Sequence, residues 1–281
     1  MLREIRPTSF AVLSTVFALF VLFLYGPTLT ITVLSFQGPT GGLVFPLQGV
    51  STHWFADVFR PQSIGDIGGS FQRSLKLGLI VMVLTVSISF LAGLAFRSRF
   101  RGAGLVFYIA VASLIMPSVV ISLGIGALFE LMGVERNWWS AGLGAHLTWT
   151  LPFGLLIMFA VFNRFDHRLE EAGRDQGASP YQVVRHVILP IVAPSLVGVA
   201  LFGFTLSYDE LARSSQALGA LNTLPLELQA MQSNATTPVI YALGTLTTAL
   251  SLLVIGASLA AVFWLQARRA RQGSDAGKGI V

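Results

Sequence analysis

Apolar residues gather into six long blocks separated by short polar connections. The blocks run near Ser9–Phe36, Ser74–Phe96, Leu105–Gly133, Ser140–Phe162, Ile191–Ser207 and Pro238–Leu265. Each approaches or exceeds the ~20 residues a helix needs to cross a bilayer core. Such blocks predict membrane-spanning helices, because only a helix satisfies its own backbone polar groups where no water is available. The connections carry turn-forming residues, as in Gln37-Gly38-Pro39-Thr40-Gly41-Gly42. The expected fold is all-α and polytopic: a transmembrane domain over 9–265, a polar loop at 163–190, and short tails at 1–8 and 266–281.

Composition sharpens this picture. Only 11% of residues are charged and 54% are hydrophobic, with a mean hydropathy of +0.73. A water-soluble domain normally carries about a quarter charged residues, so a water-exposed fold is excluded. The 281 residues include no cysteine, which removes disulfide, thiolate-metal and cysteine-nucleophile chemistry.

The basic residues set the orientation. With both termini in the cytoplasm, Arg3, Arg6, Arg97, Arg99, Arg101, Arg164, Arg168, Arg174, Arg185, Arg268, Arg269, Arg271 and Lys278 lie inside. Arg60, Arg73, Lys76, Arg136 and Arg213 then lie outside or near the outer interface. This positive-inside bias accounts for the basic charge without nucleic acid. The first block is too long for a signal peptide and lacks a small-residue cleavage site, so it reads as a retained helix. Trp54, Phe55, Trp138, Trp139 and Trp264 sit where interfacial anchors belong, and Thr52–Arg60 can form a short amphipathic helix. Pro27, Pro117, Pro152 and Pro194 punctuate the blocks and predict kinks.

The polar loop at 163–190 is strongly patterned. Asp166 can cap a first helix and Gly177 can stop it through left-handed geometry. Ser179, Pro180 and Gln182 then spell a capping box that starts a second short helix. Its Val184, Val187, Ile188 and Ile191 recur at helical spacing.

On these residues a family resemblance rests. Glu171-Ala172-Gly173, three residues, Gly177-Ala178-Ser179 and the later Val187-Ile188-Leu189-Pro190 resemble the EAA loop of bacterial ABC importer permeases, in the expected place before the penultimate span. Gly173 departs from the usual second alanine. The resemblance implies a MetI-like, type I importer permease in the bacterial inner membrane. It also implies that Glu170, Glu171, Ala172, Gly173, Gly177, Ala178 and Ser179 form the contact with an ATP-binding subunit dimer. A second permease and a periplasmic solute-binding protein complete the implied partners. ATP and Mg belong to the ATPase: the Gly273–Gly279 stretch lacks phosphate-loop spacing and a hydroxyl after Lys278.

Phe204-Thr205-Leu206-Ser207-Tyr208-Asp209-Glu210, Thr223-Leu224-Pro225 and Pro238–Thr245 resemble the spermidine/putrescine branch, which implies an amine cargo. Glu210 in place of aspartate and the Ser214-Ser215-Gln216 run depart from that pattern, and relatives carry aminophosphonates, amino acids and other small solutes. Asp209 and Glu210 face the pathway, with Ser207 and Tyr208, or mark an interfacial helix end, or brace a gate by pairing with Arg213. His146, beside Thr148, Trp149 and Thr150, is either a pathway or gate contact or an interhelical hydrogen-bonding residue; alone it makes no metal site. Glu130 reads as an interfacial acid, and Asn234-Ala235-Thr236 as a chance sequon. An ion-coupled transporter would place carboxylates deep in broken helices, and an intramembrane enzyme would pair catalytic groups at one depth. Neither pattern is present.

Overall fold

The computed structural model describes residues 7–60, 65–98, 100–234 and 238–276. Arg3, Arg6, Arg99, Lys278, the Thr236 sequon position and the Gly277–Gly279 stretch lie outside the described residues. Among the described residues every regular element is helical. The chain divides into two units, 1–68 with 230–250, and 69–229 with 251–281.

The first unit holds α1 (Pro7–Leu34), the short α2 (His53–Asp57) and the opening turns of α12 (Val239–Ala276). The side chains described along α1 face mostly outward, as expected of a helix solvated by lipid. The α1–α2 connection is organised by Gln37, which is fully buried. Its Nε2 donates to the carbonyls of Gly42 at 3.2 Å and Val44 at 3.3 Å, and its Oε1 accepts the Gln48 amide at 2.6 Å. A Gly/Pro-rich stretch is thus given a fixed course by one amide side chain whose donor and acceptor are both used. The expected helix at 52–60 forms as α2, where Asp57 pairs with His53 at 3.2 Å and with Arg60 at 2.8 Å.

The second unit contains α3 (Ile67–Arg97, from Gly69 onward), α4 (Ala103–Ile115), α5 (Ser118–Leu131), α6 (Ala141–Asn163), α7 (Arg168–Asp175), α8 (Pro180–Val183), α9 (Leu189–Tyr208), α10 (Ser214–Ala217) and most of α11 (Leu224–Asn234). Its centre is α6 against α9, with α3 laid along both. Helices in lipid gain little from hydrophobicity against one another, so close contact depends on small residues and hydrogen bonds. Thr85 of α3 donates to Thr150 of α6 at 2.8 Å. Gly154 of α6 admits Ser89 and Thr85, and Gly203 of α9 admits Met82 and Thr85. At one end Arg73 Nε reaches the Asn222 carbonyl at 2.7 Å and Ser74 accepts the Leu224 amide at 2.8 Å, which fastens the start of α11 to α3.

The third expected span is corrected. Leu105–Gly133 is not one helix: it breaks between α4 and α5 with a bend of 113°. Met116 and Pro117 are both extended, at φ −72°, ψ 139° and φ −57°, ψ 129°, because the proline ring drives the preceding residue out of helical geometry. Pro27, Pro152 and Pro194 instead lie inside continuous helices. Among the described residues five helices are long and apolar enough to span, and six segments are if the bent pair is one span. The pair does advance along α6. Phe107 of α4 packs on Phe159 with ring centroids 5.3 Å apart, Ser113 donates to the Thr148 carbonyl at 2.8 Å, and Gly144 meets Ile125 of α5.

Candidate functional site

The loop at 163–190 folds largely as its cap signals predict. Asp166 Oδ1 accepts the Arg168 amide at 3.0 Å, and α7 follows. Its C-terminus is a Schellman closure: the Ala178 amide returns to the Gly173 carbonyl at 3.1 Å and the Gly177 amide to Arg174 at 2.8 Å. Gly177 sits at φ +83°, a geometry that costs an L-residue roughly 1–2 kcal/mol. Ser179 then caps α8 with Pro180 in first position, and the reciprocal bonds of the capping box with Gln182 are both made.

The second helix departs from expectation. It is not a separate short rod. α8 passes through a π turn over Val184–Ile188 directly into α9, so that residues 180–208 are one unbroken helical stretch. The turn is five-residue wound, with the Leu189 amide on the Val184 carbonyl, and lies immediately before Pro190, whose missing N–H an α-helical ladder could not use. The extra residue shifts the buried face. Val183, Ile188 and Val192 enter the core with Met158, Phe162, Phe165 and Val199, while Ile191 turns outward at 40% exposure.

The two adjacent acids of α7 have opposite fates. Glu171 and Ala172 are exposed, with Leu169 and Tyr181 also outward. Glu170 is buried at 7% exposure. It accepts from Arg97 at the end of α3, lies 3.6 Å from Arg174 Nη2, and neighbours His167. Its assignment to an outward docking face is therefore corrected: the helical turn of about 100° per residue carries Glu171 out and Glu170 in. Gly173 faces Val183 and Val187, where an added Cβ would sit at ordinary contact distances of 3.6 and 3.5 Å. Gly173→Ala is accordingly expected to raise the stability of the assembled protein by up to about 1 kcal/mol, because the helix gains alanine's propensity without a clash. Thermal unfolding of the detergent-purified complex measures this, and a fall in melting temperature would contradict it.

At the opposite end of the second unit, α6, α9 and α10 meet through a polar cluster. His146 is 1% exposed. Its Nδ1 lies 2.8 Å from Ser207 Oγ and its Nε2 3.1 Å from Ser214 Oγ. Ser214 spends its proton on the Glu210 carbonyl at 2.6 Å. It must therefore accept from Nε2–H, which leaves Nδ1 to accept from Ser207. His146 thus joins α6 to α9 and α10 by hydrogen bonds.

Arg213 is fully buried. Its backbone amide donates to Glu210 Oε1 at 2.9 Å, Nη1 lies 3.4 Å from Glu210 Oε2, and Nη1 donates to Ser118 Oγ at 2.9 Å. The guanidinium carbon stands 4.4 Å from the centroid of the Trp149 ring, and Ser122 donates to the Arg213 carbonyl. Glu210 is therefore a brace for Arg213. Asp209 beside it is exposed. Partial loss of hydration, and then the charge of Glu210, hold its carboxyl above the usual carboxylate range. Tyr208 is buried and stacks on Phe204 at 5.5 Å between centroids, with its hydroxyl unpartnered among the described residues. Glu130 lies 4.0 Å from Arg136.

Sequence reasoning treated Arg97 only as a topological charge and passed over Ser118 and Ser122. A partner for Glu170 lies 73 positions away, and no local pattern announces it.

Residues 85–272 match the family described as "Binding-protein-dependent transport system inner membrane component". The chain belongs to that family. It is a multi-pass inner-membrane permease of an ABC importer. Curated relatives include the "Spermidine/putrescine transport system permease protein PotC" of Escherichia coli (strain K12), 31% identical over 84% of this chain and 88% of the relative. The "Putrescine transport system permease protein PotI" of the same strain is 28% identical over 80% and 81%. Among solved structures, a bacterial ABC transporter involved in the import of alginate aligns with a TM-score of 0.68 at 12% identity, over 90% of this permease and 94% of that chain. The MetNI methionine ABC transporter aligns at 0.56 and 20% identity, over 70% and 94%. The two solved structures share the fold of this chain.

Proposed function

We propose that this permease forms half of the pathway of an ATP-driven importer of polyamines or related amines, with the α7 end in the cytoplasm and the α10 end outside. The observation that carries the reading is the division of the 163–190 segment. One face of α7 is free for a partner, and the other end of the segment is continuous with a membrane span. The outward face of α7, with Glu171 and Ala172, docks in a cleft of an ATPase subunit that holds ATP and Mg. A second permease closes the pathway, and a periplasmic binding protein delivers the solute. Motion of the docked ATPase passes through the Gly177 turn into residues 180–208 and so into the bundle.

Gly177→Val tests the coupling. No atom lies within 4 Å of an added Cβ, so the main effect comes from the backbone, which a β-branched residue forces out of the left-handed region. ATP-dependent uptake into proteoliposomes is expected to fall severalfold with the amount of inserted permease unchanged. Full uptake would sink the reading.

The amine cargo is supported by the names of the two curated relatives and by Asp209, an exposed carboxylate beside the aromatic Tyr208. A cation leaving the binding protein meets this carboxylate without competition from Arg213, which Glu210 already engages. Asp209→Asn is expected to lower putrescine uptake at low concentration by about tenfold, the scale of one charge-assisted hydrogen bond. Initial rates of radiolabelled putrescine uptake measure it. Unchanged rates would remove Asp209 from the pathway.

A further inference from the structure

α7 is joined covalently to α6 on one side and α8 on the other, but it has no covalent link to α3. What reaches α3 is Arg97. Its guanidinium carbon stands 5.2 Å from the ring centroid of Phe162 in α6 and 5.3 Å from that of Phe165 in the α6–α7 connection. Its Nη2 donates to Glu170 of α7 and, at 2.7 Å, to His167 Nδ1. The side chains of Arg97 and Glu170 are only 14% and 9% exposed. The pair therefore sits where water competes weakly and its geometry is held by two aromatic faces.

We propose that the Arg97–Glu170 pair is the link through which displacement of α7 is carried into α3, which makes both residues positioning residues for energy coupling rather than docking residues. This rests on the reading that α7 docks an ATPase. Among the described residues, the contacts of α3 with α6 and α9 beyond Arg97 run through small residues, apolar side chains and the Thr85–Thr150 hydrogen bond, and helices packed this way can slide by small shear displacements. Arg174, 3.6 Å from Glu170, lies on α7 itself, so the buried contact with Arg97 is the one that crosses from α7 to α3 and holds register through a stroke. The 31-residue α3 would then move with α6 and α9 as one body, and its far end, at Arg73 and Ser74, would pull on the α11 segment.

The test uses the whole complex in proteoliposomes, with radiolabelled putrescine as probe. Because the chain contains no cysteine, Asp175→Cys supplies a single crosslinking site on α7. Three quantities are read: crosslinking to the ATPase subunit, ATP hydrolysis, and putrescine imported per ATP hydrolysed. In Glu170→Gln, which preserves shape, crosslinking and hydrolysis are expected to stay close to the parent. Import per ATP is expected to fall roughly tenfold, within the range over which residues in a coupling network act. Arg97→Gln should match it, Arg97→Lys should retain most of the ratio, and the double Arg97→Gln/Glu170→Gln should lose no more than either single change. An unchanged ratio in Glu170→Gln, multiplying losses in the double variant, or a joint fall of assembly, hydrolysis and uptake at constant ratio would each overturn the proposal. If the parent itself fails to crosslink, the docking reading falls and takes this one with it, a result distinct from crosslinking that persists with an unaltered ratio.

Discussion

Glu210→Ala is expected to destabilise the permease by about 3 kcal/mol or more, the cost of removing one partner from a buried ion pair. Arg213 has no exposed surface and cannot turn to water when the carboxylate is lost. Its Nη1 would keep Ser118, and Trp149 would still cover one face of the guanidinium. Nε and Nη2 are already without partners among the described residues, so the charge would be left nearly uncompensated. The same change frees the Arg213 backbone amide that Glu210 Oε1 holds, which loosens α10 where Ser214 meets His146. The measurement is the melting temperature and the fraction of monodisperse protein in detergent. The decisive control is Glu210→Leu with Arg213→Met. Replacing both charges by apolar groups of similar size is often neutral, so the double variant should recover much of the loss. A double variant as unstable as Glu210→Ala would show that the pair matters for something other than charge balance.

Asp209→Asn, by contrast, touches an exposed group, and its expected effect is on transport alone. Two neighbouring acids thus separate into one engaged with Arg213 and one that is exposed. Nothing in the string Tyr208-Asp209-Glu210 distinguishes them. The distinction is made by α5 and α10, which bring Ser118 and Arg213 to one side of the helix end only.

Local signals were legible, and contacts distant in sequence were not. The capping box at Ser179 and Gln182 and the stop at Gly177 form within a few residues of one another, so the sequence contains everything needed to read them. The π turn could be read only in part. Pro190 announces a missing donor, but whether the chain breaks, kinks or widens depends on what packs around it, and here the buried row Val183, Ile188 and Val192 favours a widened turn over a break. Pro117 and Pro152 look alike in sequence, yet the first separates α4 from α5 and the second rides inside α6. The difference lies with the neighbours, since Ser122 and Gly126 of α5 are buried against the α10 region and hold that segment at its steep angle. Glu170 and Glu171 pose the same difficulty on a smaller scale: α7 is too short and too polar for its own periodicity to say which acid turns inward. The alignment with an alginate importer at 12% identity fits this view, because the fold depends on a sparse set of caps and close approaches that many sequences can supply.

Gly154→Val tests one of those close approaches. A Cβ built at Gly154 would collide with Ser89 Oγ and would come within 3.0 Å of both Ser89 Cβ and Thr85 Cγ2. Neither helix can yield easily, since Thr85 is also held by Thr150 at 2.8 Å. Overpacking of this kind costs about 1–3 kcal/mol, and a β-branched side chain at so tight a crossing belongs at the upper end. Separation of α3 from α6 would forfeit dispersion contacts that the surrounding lipid does not return in shape. The expected result is a large fall in the yield of folded permease, read by size-exclusion profile and by uptake. Gly198→Ala supplies the contrast. It too is a glycine inside a spanning helix, but no atom lies within 4 Å of its added Cβ, so it should be neutral or slightly stabilising through helix propensity. A second contrast isolates the crossing. Gly154→Ala alone should destabilise, and adding Ser89→Ala should restore part of the loss by removing the hydroxyl that the new methyl group meets. Equal stability of Gly154→Ala with and without Ser89→Ala would mean that the two helices do not approach at this point, and the arrangement of α3 against α6 would have to be redrawn.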